Sequence, residues 1–262
     1  MIAYFPKPNF MPVAISNCKL NCKHCMGKYL NGMIKIKNRE ELLKFGEKFK
    51  GYGVLISGGF DREGKLINLD KMIEVIKKLR KKFYIAIHPG FVDGKMANEL
   101  YEACDIAFVD LPSDNAIKNV LNMEKNSTDY FINMTRLIDA GMEVTPHITI
   151  GLNHGKIEEW KIIDELKKYK IRKIVINIIM PTSKTFFENI KVEKDDILNF
   201  IDYSKNFNFS IGCMRPRKFD VDLVKHGVKE IAVPSKKAME IAKKIEIRNF
   251  CCGLGDELED KI

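Results

Sequence analysis

No run of about 18 apolar residues, the length needed to cross a bilayer, occurs anywhere in the chain. The opening MIAYFPKPNF is interrupted by Pro6, Lys7 and Pro8 before a signal-like apolar core can develop, so the expected location is cytoplasmic. There is no GxGxxG after the first predicted strand, which removes the usual dinucleotide-binding turn. No internal repeat, low-complexity tract or interdomain linker breaks the 262 residues, a length that one α/β barrel commonly fills as a single domain. Basic residues also lack the clustering of a nucleic-acid reader. The formal charge of +9 comes from 44 Lys and Arg against 35 Asp and Glu, and the lysines are scattered over many predicted helix faces without interleaved aromatics.

What is present is a soluble, globular composition, 45% hydrophobic and 30% charged. Stretches rich in Val, Ile and Phe alternate with lysine-rich amphipathic stretches. That rhythm predicts parallel strands joined by crossover helices. Strands are expected over 12–16, 53–57, 83–88, 106–110, 143–150, 173–178, 207–212 and 228–233, with helices among them over 69–81, 158–169 and 236–244. In the first of these helices Met72, Ile73, Ile76 and Leu79 recur at three- and four-residue steps, the spacing of a face turned to a sheet. Right-handed crossovers in this number curl toward a barrel, so the expected fold is α/β, a parallel (β/α) barrel of full or partial TIM type. The barrel is expected over 1–246. The remaining 247–262 lose the βα rhythm, and a tail that crosses the barrel, covering its mouth, or stays mobile is expected.

Directly after the first predicted strand comes SNCKLNCKHC, with Cys18, Cys22 and Cys25 in the spacing CxxxCxxC. Seven cysteines in this length would produce that triplet by chance in roughly one sequence in two hundred. Three thiolates on a short loop can hold three irons of a four-iron cluster and leave the fourth iron for a small molecule. A structural zinc site would close four protein ligands round the metal, and no second CxxC or HxxxH lies nearby; His24, between two of the cysteines, is poorly placed to be the fourth.

At these residues the sequence resembles the radical S-adenosylmethionine superfamily. The resemblance implies that Cys18, Cys22 and Cys25 bind a 4Fe-4S cluster whose open iron takes S-adenosylmethionine, that one electron from a donor such as ferredoxin or flavodoxin cleaves it, and that a 5′-deoxyadenosyl radical then abstracts hydrogen from substrate. In LISGGFDREGK, Ser57, Gly58 and Gly59 stand where the family commonly has a GGE segment beside the methionine amino group; here Phe60 and Asp61 depart from that pattern. His88 in IHPG and Asp110 in IAFVD end predicted strands, where barrel enzymes assemble their sites, and Asp110 suits a ribose hydroxyl. Ile150 and Gly151 in TPHITIGL are similar to the strand end that lies beside adenine, whereas His147 in the same strand reads as a buried, carbonyl-bonded histidine. Pro181 and Thr182 resemble a rim loop of biotin-synthase-like enzymes.

Four cysteines remain. Cys104 precedes its strand and is expected to be structural, while Cys213, in SIGCMRPRKFD, is expected at the rim with Arg215 and Arg217. Two readings of Cys213, Cys251 and Cys252 stand side by side: ligands of an auxiliary iron-sulfur cluster, or a buried thiol and an unliganded pair. The two arginines have two readings as well, a substrate-carboxylate site or surface ion pairs. The segments ISGG, HPG, PHITIGL, PT and GCMRPR are similar to archaeal-type homologues of biotin synthase, including proteins like two-component lipoyl synthases. That branch implies sulfur insertion into an octanoyl-type chain, a sister radical enzyme and an acyl-carrying protein substrate. The usual second N-terminal cysteine triplet of lipoyl synthase is missing here. The alternatives are a one-cluster radical rearrangement or cofactor-assembly enzyme and, outside enzymes, a zinc-stabilised module whose basic face binds nucleic acid.

Overall fold

The computed structural model describes residues 1–255. Eleven strands form one sheet in which every hydrogen-bonded neighbour is parallel. They are β1 (Ile2–Tyr4), β2 (Phe10–Ala14), β3 (Ile34–Lys35), β4 (Gly53–Ser57), β5 (Tyr84–Ile87), β6 (Ile106–Asp110), β7 (Glu143–Ile150), β8 (Ile174–Ile178), β9 (Phe209–Ile211), β10 (Glu230–Ala232) and β11 (Glu246–Arg248). The strand order is β11-β1-β10-β9-β8-β7-β6-β5-β4-β2-β3.

This order forces curvature. In a flat sheet β1 and β2 would stand eight strand spacings, about 38 Å, apart. Only residues 5–9 join them, and that connection spans at most about 20 Å. The sheet therefore curls until its two ends approach, giving the partial TIM-type barrel. Helices on its outer face include α1 (Arg39–Lys48), α2 (Leu69–Arg80), α3 (Gly94–Ala103), α4 (Asp114–Ala116), which runs into a π-helical turn, α5 (Ser127–Asp139), α6 (Trp160–Leu166), α7 (Lys194–Tyr203), α8 (Asp220–Lys225) and α9 (Lys236–Ile241). Met72, Ile73, Ile76 and Leu79 of α2 are buried against the sheet as their spacing demands.

Alternation along the strands separates two cores. Outward residues such as Ile85, Ala107, Ile148 and Ile176 meet the helices. Inward residues Tyr4, Phe10, Ala86, Ile106, Phe108, Val175 and Ala232 form a smaller cluster inside the curl, completed by Phe250, Cys252 and Leu254 from the chain's last described segment.

All eight expected strands exist, three of them (β4, β6 and β7) with the expected bounds. The strands not anticipated, β1, β3 and β11, have two or three residues each, too short to show alternation. Helix α6 is shorter than the 158–169 pattern, and α9 stops before Lys244.

The expected division at 246/247 falls inside β11. The described part of the tail does not lie over the mouth. The Thr145 hydroxyl donates to the Gly253 carbonyl at 2.8 Å, Ser210 donates to the Cys252 carbonyl at 2.8 Å, and Lys173 Nζ lies 3.3 Å from the Leu254 carbonyl. These partners sit in the N-terminal half of β7, in the middle of β9 and just before β8, so the tail fills the lower half of the barrel. It goes there because small inward residues such as Ala86 and Ala232 leave room for apolar side chains that solvent would not accept. Residues 256–262 of the expected tail lie outside the described residues.

One ion pair ties together the strands on one side of the curl. Lys173 Nζ, buried, reaches Glu230 Oε2 at 2.5 Å and the Tyr4 hydroxyl at 2.9 Å, and Tyr4 donates to the same Glu230 oxygen at 2.6 Å. β1, β8, β10 and the tail meet on this one ammonium. Lys173→Met strands the Glu230 carboxylate and is expected to lower the unfolding free energy by about 3–5 kcal/mol in chemical denaturation, most of it restored in Lys173→Met/Glu230→Leu.

Candidate active site

The loop that follows β2 carries Cys18, Cys22 and Cys25 and turns back on itself through left-handed backbone at Met26 (φ 47°) and Gly27 (φ 75°). Its seat is the end of β4. Ile15 N–H donates to the Ser57 carbonyl at 2.9 Å, Gly59 N–H donates to the Ser16 hydroxyl at 3.0 Å, and Lys19 N–H donates to the Phe60 carbonyl at 2.9 Å. A Cβ on Gly59 would overlap the backbone of Asn17 and Cys18, so only glycine lets the two segments close. The Cys18 thiol contacts the Phe60 carbonyl at 3.8 Å.

Within the loop Cys22 and Cys25 act on one another: their contact pushes the Cys22 thiol up and the Cys25 thiol down, with His24 lowering Cys25 further. Three sulfurs on one loop, Cys18 and Cys25 half-buried, suit a cluster that takes thiolates as ligands. Among the described residues no group of three or more His, Cys, Asp or Glu side chains, the three loop cysteines included, is arranged to hold a single metal ion.

The loop is tied to the opposite rim as well. Lys23 N–H donates to the Val120 carbonyl at 2.9 Å, after β6. Lys28 Nζ bonds the carbonyls of Ser183 and Lys184, and the Thr185 hydroxyl lies 3.3 Å from the His24 carbonyl. Thr182 pairs with Tyr29 at 3.3 Å, while Phe187 packs against His24 and His154. The loop after β8, noted in the sequence for Pro181 and Thr182, thus fastens the cysteine loop across the mouth. Lys28 and Thr185, its main fasteners, carry no motif that sequence reading could have used.

Strand ends converge beneath it. His88 and His147 stand 5.1 Å apart, ring to ring, with Phe108 against both. His147 Nδ1 is 3.1 Å from the Thr145 carbonyl, which can only accept, so Nδ1 carries the proton and Nε2 presents its lone pair. This is the buried, carbonyl-bonded histidine expected. Burial, then its neighbour His88, pushes His147 down to about 3; burial also lowers His88, partly opposed by Asp110. Both rings are neutral at physiological pH. Asp110 is exposed at the end of β6.

Ile150 departs from expectation. Its side chain is wholly buried in the outer core with Ile148 and Ile163, on the face turned to the helices, so it cannot line the mouth. Alternation puts Thr149 on the inner face instead. Gly151 has φ +74°, and a side chain there would press on Val192 and Ile179. Cys104 is buried in the outer core, its thiol pushed up by desolvation, as a structural residue should be.

Cys213, Cys251 and Cys252, far apart in sequence, come within electrostatic reach of one another. The Cys251 hydrogen bond, then Lys173, Ser210 and Arg215, hold the Cys252 thiol down at about 7. Arg215 is not free for substrate. It is 2% exposed and bonds Asp220 at 2.7 Å and the carbonyls of Gly212 and Ala232 at 2.5 and 2.7 Å. A separate groove of about 690 Å³ lies on the outer surface between α3, α5 and α6, away from these strand ends.

No protein-family model matches the chain, and no curated protein matches its sequence. Solved structures do match its fold. The FeFe-hydrogenase maturase HydG from Carboxydothermus hydrogenoformans superposes with a TM-score of 0.60 at 16% identity, over 88% of this chain and 58% of HydG. Methylornithine synthase, PylB, gives 0.60 at 14% identity, over 87% of this chain and 73% of the enzyme. Streptococcus suis SuiB bound to S-adenosylmethionine gives 0.58 at 15% identity, over 79% of this chain and 51% of SuiB. The chain thus spans little more than half of HydG and SuiB, and shares with all three the same curled parallel fold.

Glu159 escaped the sequence reading. It is fully buried beside Gly151, with Oε2 accepting from Gly151 N–H at 3.3 Å and Glu158 N–H at 3.0 Å, while Oε1 has no partner among the described residues. Desolvation raises it from 4.5 to about 7. The folded state therefore binds a proton that the unfolded chain has lost, and stability falls as pH rises from about 4.5 to 7. Glu159→Gln is expected to gain on the wild type by up to about 3 kcal/mol across that window, read from denaturation midpoints at several pH values.

Proposed function

We propose that the chain is a radical S-adenosylmethionine enzyme working in a reducing, cytoplasmic setting, with Cys18, Cys22 and Cys25 as ligands to three irons of a 4Fe-4S cluster. The observation that carries this reading is the seating of the cysteine loop on Gly59 at the C-terminal end of β4, in a fold shared with a protein solved with S-adenosylmethionine. When bound, cluster and S-adenosylmethionine supply one-electron cleavage to a 5′-deoxyadenosyl radical. The chain's own residues bind and orient. Backbone groups of Ser57, Gly58 and Gly59 receive the methionine end, Asp110 a ribose hydroxyl, and Gly151, with Thr149 in place of Ile150, lies toward adenine. His88, neutral and half-buried, faces the substrate space and accepts or donates a hydrogen bond without adding charge. The fastened loop after β8 limits water at the mouth.

The finer reading is carbon-hydrogen activation followed by sulfur insertion into an octanoyl-type chain on a carrier protein, as in the biotin-synthase-like branch. A sister protein and a ferredoxin or flavodoxin donor would complete it. Its support is that Cys213, Cys251 and Cys252, distant in sequence, come within electrostatic reach of one another, beside the ion-paired Lys173 and Arg215.

Anaerobically reconstituted protein is expected to be brown and to form 5′-deoxyadenosine from S-adenosylmethionine with dithionite, and Cys22→Ala to lose this at least a hundredfold. Retained cleavage in the variant sinks the cluster assignment. About eight irons per chain support the auxiliary cluster, and about four remove it.

A further inference from the structure

Arg217 stands apart from its neighbour Arg215. Arg215 spends every donor on Asp220 and on carbonyls of the fold, so its charge is matched. Arg217 opens the one-turn helix after β9, anchored by buried Phe219, and forms no ion pair with any described residue. Its Nη1 is shielded from solvent and has no hydrogen-bond partner. A guanidinium N–H withdrawn from water without an acceptor is costly, and folded proteins usually meet it with a protein group, an ordered water or a bound ion.

The surroundings say what that ligand is. The charge of Arg217 acts on Cys213, which is exposed to solvent. The Asp220 carboxylate is already occupied by Arg215 and by Ser235 N–H, and among the described residues no carboxylate forms an ion pair with Arg217. Arg217 follows β9, two places from β1 in the sheet, on the rim reached by the loops that leave the strands.

We propose that Arg217 is a specificity-determining residue that holds an oxyanion of the substrate, a carboxylate or a phosphoryl group, at the β9 end of the barrel mouth. The guanidinium fork makes paired hydrogen bonds to either group. This goes beyond the radical reading and rests on it only for the word substrate; the anion site itself requires no iron.

The test is calorimetric titration of the full reconstituted chain with octanoate and, separately, with inorganic phosphate. At least one is expected to bind saturably, octanoate alone marking a carboxylate site and phosphate alone a phosphoryl site. Arg217→Gln should weaken that binding about tenfold or more, Arg217→Lys less, and Lys218→Ala, at the exposed neighbour, not at all. The dissociation constant for S-adenosylmethionine should stay within about twofold in all three. Absence of binding by the wild type, undiminished binding by Arg217→Gln, or a loss confined to S-adenosylmethionine would each overturn the proposal. Iron and 5′-deoxyadenosine measured on the same samples keep the two readings separate, since iron-free protein that binds an anion through Arg217 defeats only the cluster.

Discussion

The short connection between β1 and β2 is the constraint on which the rest of the molecule depends. Five residues cannot span a flat eleven-stranded sheet, so the sheet must bend, and bending creates an inside. Once there is an inside, residues at alternate positions face it, and the parallel direction of every strand sends all the connecting loops that follow strands to the same rim. The cysteine loop, the glycine pair and the two histidines meet because of that geometry. No local motif brings them together.

The interior is divided by depth. Below, aromatic and aliphatic side chains close round the tail, with a single buried ammonium joining four segments. Above, the lining turns polar, with Ser57, His88, His147, Thr149 and Asn177 on inward positions. The tail's carbonyls at Cys252 and Gly253 are bonded to strand hydroxyls, so the floor of the upper chamber is fixed and has its hydrogen bonds satisfied. The hydrogen-bonded tail below and the fastened cysteine loop above stand on either side of these polar side chains.

Much of this was legible in the residues. Strands such as those carrying Ile106 and Val144 announce themselves through β-branched runs between lysine-rich helices, and the triplet at Cys18, Cys22 and Cys25 stands out by spacing. The segments that seal the barrel were not legible. Ile2 to Tyr4 and Glu246 to Arg248 are too brief to establish a period, and their partners lie more than two hundred residues away from one another. Lys173, one more lysine in a lysine-rich chain, gives no sign in sequence that it is buried. Ile150 misled for a related reason: the motif fixes which strand end meets a ligand, while the pleat, set by pairing, decides which of two adjacent side chains faces it.

The placement of β1 has a consequence for how the chain is made. Ile2 to Tyr4 lie between Glu230 to Ala232 and Glu246 to Arg248, so this strand finds neither neighbour until residues 230 and beyond have been synthesised. At ordinary translation rates that wait is about 12–50 seconds, during which the first strand has no partner. Such distant pairing predisposes to slow folding, and it makes the N-terminal strand a natural point of contact for a chaperone.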